Sequence, residues 1–198
     1  MNFSRGETEH DMTTRRPFLP LSLMVLMFLA TPAGAQTDIF SEDPLIVAVY
    51  ENRADRVREL IVRQHPLARS DIDGRTPMLW GAIQGSYESL ELLLEAGART
   101  DFLDEVGNSA LYHASENGHV EVVDLLLSYD APVDQENRDG RTPLMAAARA
   151  GHVEIVRALM AAGAEIDRSE FTGRTVLDIA REGRSRQVVQ VLQRAGAR

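Results

Sequence analysis

Two hydrophobic patterns divide the chain. Residues 19–30 form an apolar stretch rich in Leu, Met, Phe and Val, whereas beyond residue 41 apolar positions alternate with polar ones in a spacing that recurs. Gly74, Gly107, Gly140 and Gly173 stand 33 residues apart. Each is followed by a similar tetrapeptide: Arg-Thr-Pro-Met, Asn-Ser-Ala-Leu, Arg-Thr-Pro-Leu and Arg-Thr-Val-Leu. A fixed period of this size marks a repeat architecture, in which no unit buries its apolar face alone. One period back, Ser41 takes the glycine position and Asp43-Pro44-Leu45 keeps the helix-start chemistry. Five units are therefore predicted, near 41–73, 74–106, 107–139, 140–172 and 173–198.

Within each unit the punctuation residues predict two helices. Thr76, Ser109, Thr142 and Thr175 are placed to cap a short first helix, and proline at N1 presets its first φ. Gly85, Gly118 and Gly151 are placed to end that helix in a left-handed turn, with Asn52 as the substitute in the first unit. In the last unit Arg184 holds this position and Gly183 comes one place early, so a different turn is expected.

Second helices are predicted over 54–63, 87–96, 120–129, 153–162 and 186–195, and their apolar stripes change at the two ends. The series Arg56, Ser89, Val122, Ile155, Val188 and Glu59, Leu92, Leu125, Ala158, Val191 are charged only in the first unit. The series Ala54, Tyr87, Val120, Val153, Arg186 and Ile61, Leu94, Leu127, Met160, Gln193 lose their apolar character only in the last. These pairs lie on opposite sides of the helix, so each end loses the stripe on the side without a neighbour, as capping repeats do. The reading expects an array capped at both ends.

Gly140-Arg141-Thr142-Pro143-Leu144, then Ala147-Ala148, then Gly151-His152-Val153-Glu154-Ile155-Val156 and Ala162-Gly163-Ala164 carry a specific resemblance. Through them residues 41–198 resemble the ankyrin-repeat family. The resemblance implies an all-α repeat solenoid of helix-turn-helix units joined by β-hairpin loops. It implies no cofactor, and a monomer that binds another protein through its concave face. One departure is clear: the family's Thr-Pro-Leu-His histidine is replaced by Ile46, Leu79, Tyr112, Met145 and Asp178, so the hydrogen bonds it makes in relatives are not expected here.

In the resembling family, partners are held by hairpin tips and first-helix ends. Mapped onto this chain, the tips supply Arg75, Val106, Asn108, Arg138, Arg141, Phe171 and Arg174, and the helix ends supply Ile83, Glu116 and Arg149. Phe102 and Leu103 add an apolar pair where sibling units carry Gln135-Glu136 and Arg168-Ser169. Arginine is enriched at interfaces, and a row at 75, 141 and 174 is expected along one edge, suited to an acidic surface and replaceable by Ser with little loss of stability.

Other conspicuous residues have structural readings. His119 and His152 occupy the family's Gly-His turn. Trp80, beside Gly81 where Ala is usual, reads as an indole accommodated in the stack, with a partner-binding aromatic as the alternative.

Composition narrows the function classes. A formal charge of −9 argues against nucleic acid as the partner, because phosphate binding needs a surplus of positive charge on one face. All 21 basic residues are Arg, and cysteine is absent, which excludes disulfides and cysteine-based metal or nucleophile sites. No Ser/His/Asp, His/Glu metal or Gly-rich phosphate pattern stands outside the repeat logic, so no catalytic or metal site is expected and the chain reads as a non-enzyme.

Upstream of the repeats, Arg15 and Arg16, the apolar run and Ala33-Gly34-Ala35 form a charged n-region, an h-region and an Ala-x-Ala cleavage site. Residues 1–35 are thus predicted to be a signal peptide, with residues 36–40 as a tether and no membrane association after cleavage. An uncleaved anchor is the alternative. The acids of residues 7–11 are out of place in an n-region, and a start at Met12 would give a compact leader. Thr14-Arg15-Arg16-Pro17-Phe18-Leu19 resembles the twin-arginine signal, but in a chain without Lys any basic pair reads Arg-Arg, and the apolar core favours the general secretory route. Both routes end in the periplasm. Some exported bacterial proteins that this chain resembles support a periplasmic catalase or oxidative-stress defence, which gives one expected role; an immunity protein against a periplasm-acting toxin is the other.

Overall fold

The computed structural model describes residues 43–183 and 185–197. The predicted leader (1–35), the tether (36–40), Ser41 and Arg184 lie outside the described residues. Ten helices occur among the latter, in five pairs: α1 (Pro44–Tyr50) and α2 (Ala54–Val62), α3 (Pro77–Gln84) and α4 (Tyr87–Glu95), α5 (Ala110–Asn117) and α6 (Val120–Ser128), α7 (Pro143–Ala150) and α8 (Val153–Ala161), α9 (Val176–Glu182) and α10 (Arg186–Arg194). No helix among them is long and apolar enough to cross a membrane.

The capping chemistry operates as read. Thr76, Ser109, Thr142 and Thr175 each accept a hydrogen bond from the backbone N–H three residues on. In the first pair Asp43 takes this role, accepting from Leu45 N at 2.9 Å and from Ile46 N at 3.4 Å. Gly85, Gly118 and Gly151 end their helices at φ +74°, +85° and +86°, and Asn52 holds φ +52°. Each second helix ends one residue short of the predicted span, because Arg63, Ala96, Tyr129, Ala162 and Ala195 act as C-caps.

Gly183 is the exception. Its φ is −66°, an ordinary right-handed value, so conformational freedom does not explain a glycine there. Contact does: a Cβ at this position would lie 2.3 Å from the Arg149 carbonyl oxygen.

The helices form two layers. First helices pack on one another in the order α1, α3, α5, α7, α9, and second helices in the order α2, α4, α6, α8, α10. Between the layers Leu60, Leu93, Leu126, Leu159 and Leu192 are buried in every pair. Each contributes about 1.5–3 kcal/mol relative to exposure, which is how short helices that are marginal alone become stable together.

At the family's histidine position Ile46, Leu79, Tyr112 and Met145 are buried in the first-helix stack. Asp178 instead closes a capping box, its carboxylate accepting from the Thr175 backbone N–H at 3.2 Å. The stripe ends behave as capping requires: Arg186 and Gln193 are exposed, and Arg56 and Glu59 pair with each other.

The Gly-His turns link successive pairs. His119 Nε2–H donates to the Ile83 carbonyl at 3.0 Å, and His152 Nε2–H donates to the Glu116 carbonyl at 3.2 Å. These carbonyls belong to the last turn of the preceding first helix, where intrahelical donors run out. Ser86 does the same work with a hydroxyl, donating to the Val49 carbonyl at 3.2 Å.

Trp80 is an internal residue. Its Nε1–H donates to Asp71 Oδ2 at 2.8 Å and its ring meets Tyr50 edge-on at 5.4 Å. At Gly81 a Cβ would lie 2.7 Å from the Leu90 side chain, so the missing methyl makes room for that leucine.

Candidate partner-binding surface

Where β-hairpins are expected between the pairs, the described residues form tight turns closed by glycine, termed hairpins, with isolated bridges Leu103–Ser109 and Ser169–Thr175 in place of strands. Gly74, Gly107, Gly140 and Gly173 donate their N–H to the carbonyls of Asp71, Asp104, Asn137 and Glu170, at positive φ throughout. In the first three turns one side-chain oxygen holds the tip from inside. Asp71 Oδ1 accepts from Asp73 N and Arg75 N, Asp104 Oδ1 from Val106 N and Asn108 N, and Asn137 Oδ1 from Asp139 N and Arg141 N. All three side chains are buried and fully committed, as buried polar groups must be.

Successive tips are tied to one another by backbone hydrogen bonds. Glu105 N donates to Asp73 O at 3.0 Å, Arg138 N to Val106 O at 3.1 Å, and Phe171 N to Asp139 O at 3.0 Å. Hairpins that are isolated loops in sequence thus form one continuous, braced edge. Along it Ile72 is 82% exposed, Val106 53% and Phe171 74%. Phe171 lies across Gly140, where a Cβ would meet its ring at 2.5 Å, so the ring is positioned while still facing solvent.

The predicted arginine row divides. Arg141 Nε donates to Glu170 Oε2 at 2.6 Å, and Arg174 Nε donates to the other carboxylate oxygen, which also receives the Thr172 hydroxyl at 2.6 Å. The Glu170 side chain is 1% exposed. The Thr172 hydroxyl first, then Arg141 and Arg174, outweigh the cost of burial and hold its pKa down at about 2. Arg141 and Arg174 therefore stitch the last two pairs together, and the expectation that Ser could replace them without loss of stability is corrected: removal would strand a buried carboxylate.

Arg75 behaves differently. Its equivalent acceptor one unit on, Asp104, already receives His113 Nε2–H at 2.8 Å. Arg75 instead lies over the Trp80 ring at 5.1 Å and pairs with the exposed Asp73. In the third unit Asn108 holds the row position, and its Oδ1 accepts from Asn137 Nδ2 at 2.8 Å.

Arg141, Arg149 and Arg174 surround a cavity of about 130 Å³ with Tyr112, Met145 and Glu182. Arg149 pairs with Glu116, and Arg174 also reaches Glu182 at 2.8 Å. Each guanidinium here is paired with a carboxylate, with Glu170 shared by Arg141 and Arg174, so the row is not a free positive surface.

The remaining sequence-chosen residues fall in several places. Ile83 and Phe102 are half-buried, and Phe102 lies under the Arg99 guanidinium at 5.1 Å. Leu103 is 39% exposed and forms an isolated β-bridge with Ser109. Arg138 is exposed on the stitched edge. Ile72, the most exposed large hydrophobic among the described residues, is not among the residues that the sequence pattern singles out, although the series Ile72, Glu105, Arg138, Phe171 turns apolar at both ends.

Helix pairs stacked in two layers and joined by stitched hairpins define a helical-repeat solenoid. The family description "Ankyrin repeats (3 copies)" matches residues 22–104, 96–170 and 131–198, and the chain belongs to the ankyrin-repeat family. Ankyrin repeats generally mediate protein–protein interaction. A comparison with curated proteins finds no match.

Proposed function

We propose that the chain is an exported module of five ankyrin repeats that acts in the periplasm without catalysis, holding a partner protein against its hairpin edge. The observation that carries this reading is the edge itself: Ile72, Val106 and Phe171 face solvent on tips braced by hydrogen bonds from one repeat to the next. Ordered, exposed apolar side chains favour association because little freedom remains to be lost on binding. Arg138 lies on the same edge and supplies a polar contact.

The partner proposed is a periplasmic catalase or another component of oxidative-stress defence. The test is purification of the protein from its native periplasm, with identification of what co-elutes, alongside the I72S/V106S/F171S variant. A peroxide-handling enzyme that co-elutes with wild type and is lost from the folded variant supports the reading, as does peroxide sensitivity on deletion. A lethal hydrolase in its place would overturn the proposed role in favour of toxin immunity, and equal recovery by the variant would remove the edge from the interface.

A further inference from the structure

The second-helix layer carries a different surface, separate from the hairpin edge. A groove of about 600 Å³ opens between α4 and α6, lined by Tyr87, His119, Glu121, Asp124, Leu125 and Ser128. Sequence differences between units mark this junction. At the first position of the second helix Tyr87 stands where Val120 and Val153 follow, and Tyr129 caps α6 where the siblings carry Ala96, Ala162 and Ala195. The sequence reading placed Tyr87 in the buried stripe, yet Tyr87 is 41% and Tyr129 40% exposed. The Tyr87 hydroxyl reaches out to Glu91 Oε1 at 3.4 Å. An aromatic ring is too large for the valine site, so it lies at the rim and leaves the groove beside it.

The charge around the groove has one sign. Helix α4 carries Glu88, Glu91 and Glu95, helix α6 carries Glu121 and Asp124, and neither helix contains a basic residue. Among the described residues none of these five carboxylates has an ion-pair partner, whereas Asp73, Asp139 and Glu170 on the hairpin edge are paired with arginine. The series Arg58, Glu91, Asp124, Arg157 confines the negative stretch to the middle of the layer. The charge of Glu91 also raises the Tyr87 pKa above its ordinary value. No three such groups converge on a point that could hold a metal ion among the described residues.

We infer that the α4–α6 groove docks a basic segment of a partner protein, an Arg- or Lys-bearing peptide whose cation meets Glu121 and Asp124 while its hydrocarbon stem lies on Tyr87 and Leu125. Tyrosine faces attract cations, and long basic side chains bury their stems on apolar surface while the charge stays near water. An acidic segment would meet five like charges, and a purely apolar one would desolvate Glu121 and Asp124 without compensation.

The test uses a fluorescein-labelled nona-arginine peptide titrated into the protein as the cell produces it, at two salt concentrations. Y87A keeps the charge unchanged and is expected to weaken binding about two- to fivefold, from the loss of one cation–aromatic contact at an exposed site. E121Q/D124N is expected to weaken it by a similar factor and to flatten the salt dependence. D55N/E154Q removes the same charge from the flanking helices and should leave affinity within about twofold. Equal weakening by both charge variants, together with no effect of the tyrosine variant, would reduce the binding to the general attraction of an acidic protein and overturn the groove. Absence of peptide binding by wild type would overturn it as well.

Discussion

Replacing Arg141 and Arg174 together with Ser should destabilise the protein far more than replacing Arg75, although all three occupy the same position of the repeat. Glu170 is 2% exposed and its carboxylate is held by Arg141, Arg174 and the Thr172 hydroxyl. Losing Arg141 alone leaves two of these donors, at a cost of about 1–3 kcal/mol. Losing both guanidiniums leaves a buried charge with one neutral donor, the situation that costs about 3–5 kcal/mol when a buried pair is broken.

Arg75, by contrast, pairs with an Asp73 side chain that is 54% exposed and lies over Trp80, contacts worth together roughly 1 kcal/mol or less. For a domain of this size the double variant should melt roughly 6–20 °C lower and R75S roughly 4 °C lower at most. Circular dichroism and urea titration of R75S, R141S and R141S/R174S read these differences. Adding E170Q to the double variant removes the stranded charge and should restore part of the loss, a coupling that only contact through Glu170 produces. Equal destabilisation by R75S and R141S/R174S, or no rescue by E170Q, would refute the network.

Other consequences follow from single contacts. Because the Glu170 pKa lies near 2 in the folded chain against an ordinary 4.5, its contribution is complete above about pH 4.5 and is lost as pH falls toward 2; E170Q should lack this acid-dependent component in urea titrations at stepped pH. Leu159→Ala empties a site that is 0% exposed between α7 and α8 and should cost about 2–5 kcal/mol, measured by the same titration, and a smaller loss would mean the layers repack. Gly183→Ala drives a methyl into the Arg149 carbonyl and should lower the melting temperature, whereas Gly163→Ala, with open space around it, acts only through its φ of +92°. Intact-mass measurement of periplasmic protein should place the mature N-terminus at Gln36, and retention of residues 19–30 would reject the leader.

The repeat was legible because its signals are local. Caps at 33-residue spacing, left-handed turn residues and leucine stripes each sit within a few positions of the element they specify, so the helix pairs emerge from short windows. The site was less legible because its contacts join different units. Nothing near Arg141 in sequence announces that its partner is Glu170, since the same position holds Asp71, Asp104 and Asn137 elsewhere, and those close their own turns. The longer side chain at Glu170 was the available signal.

Tyr87 shows a second limit: hydrophobic type placed it in the stripe, but ring size against the valine of its siblings put it at the rim. Gly183 shows a third: a different turn was legible from its place in the sequence, but its close approach to a neighbouring carbonyl was not.

The claim that a partner sits on the hairpin edge is tested most directly by hydrogen–deuterium exchange of the protein alone and with the partner that co-purifies from the periplasm. Added protection should concentrate in the tips, residues 71–75, 104–108, 137–141 and 170–174, and should disappear in the I72S/V106S/F171S variant. Protection confined to the second helices, with the tips exchanging as in the free protein, would contradict the account.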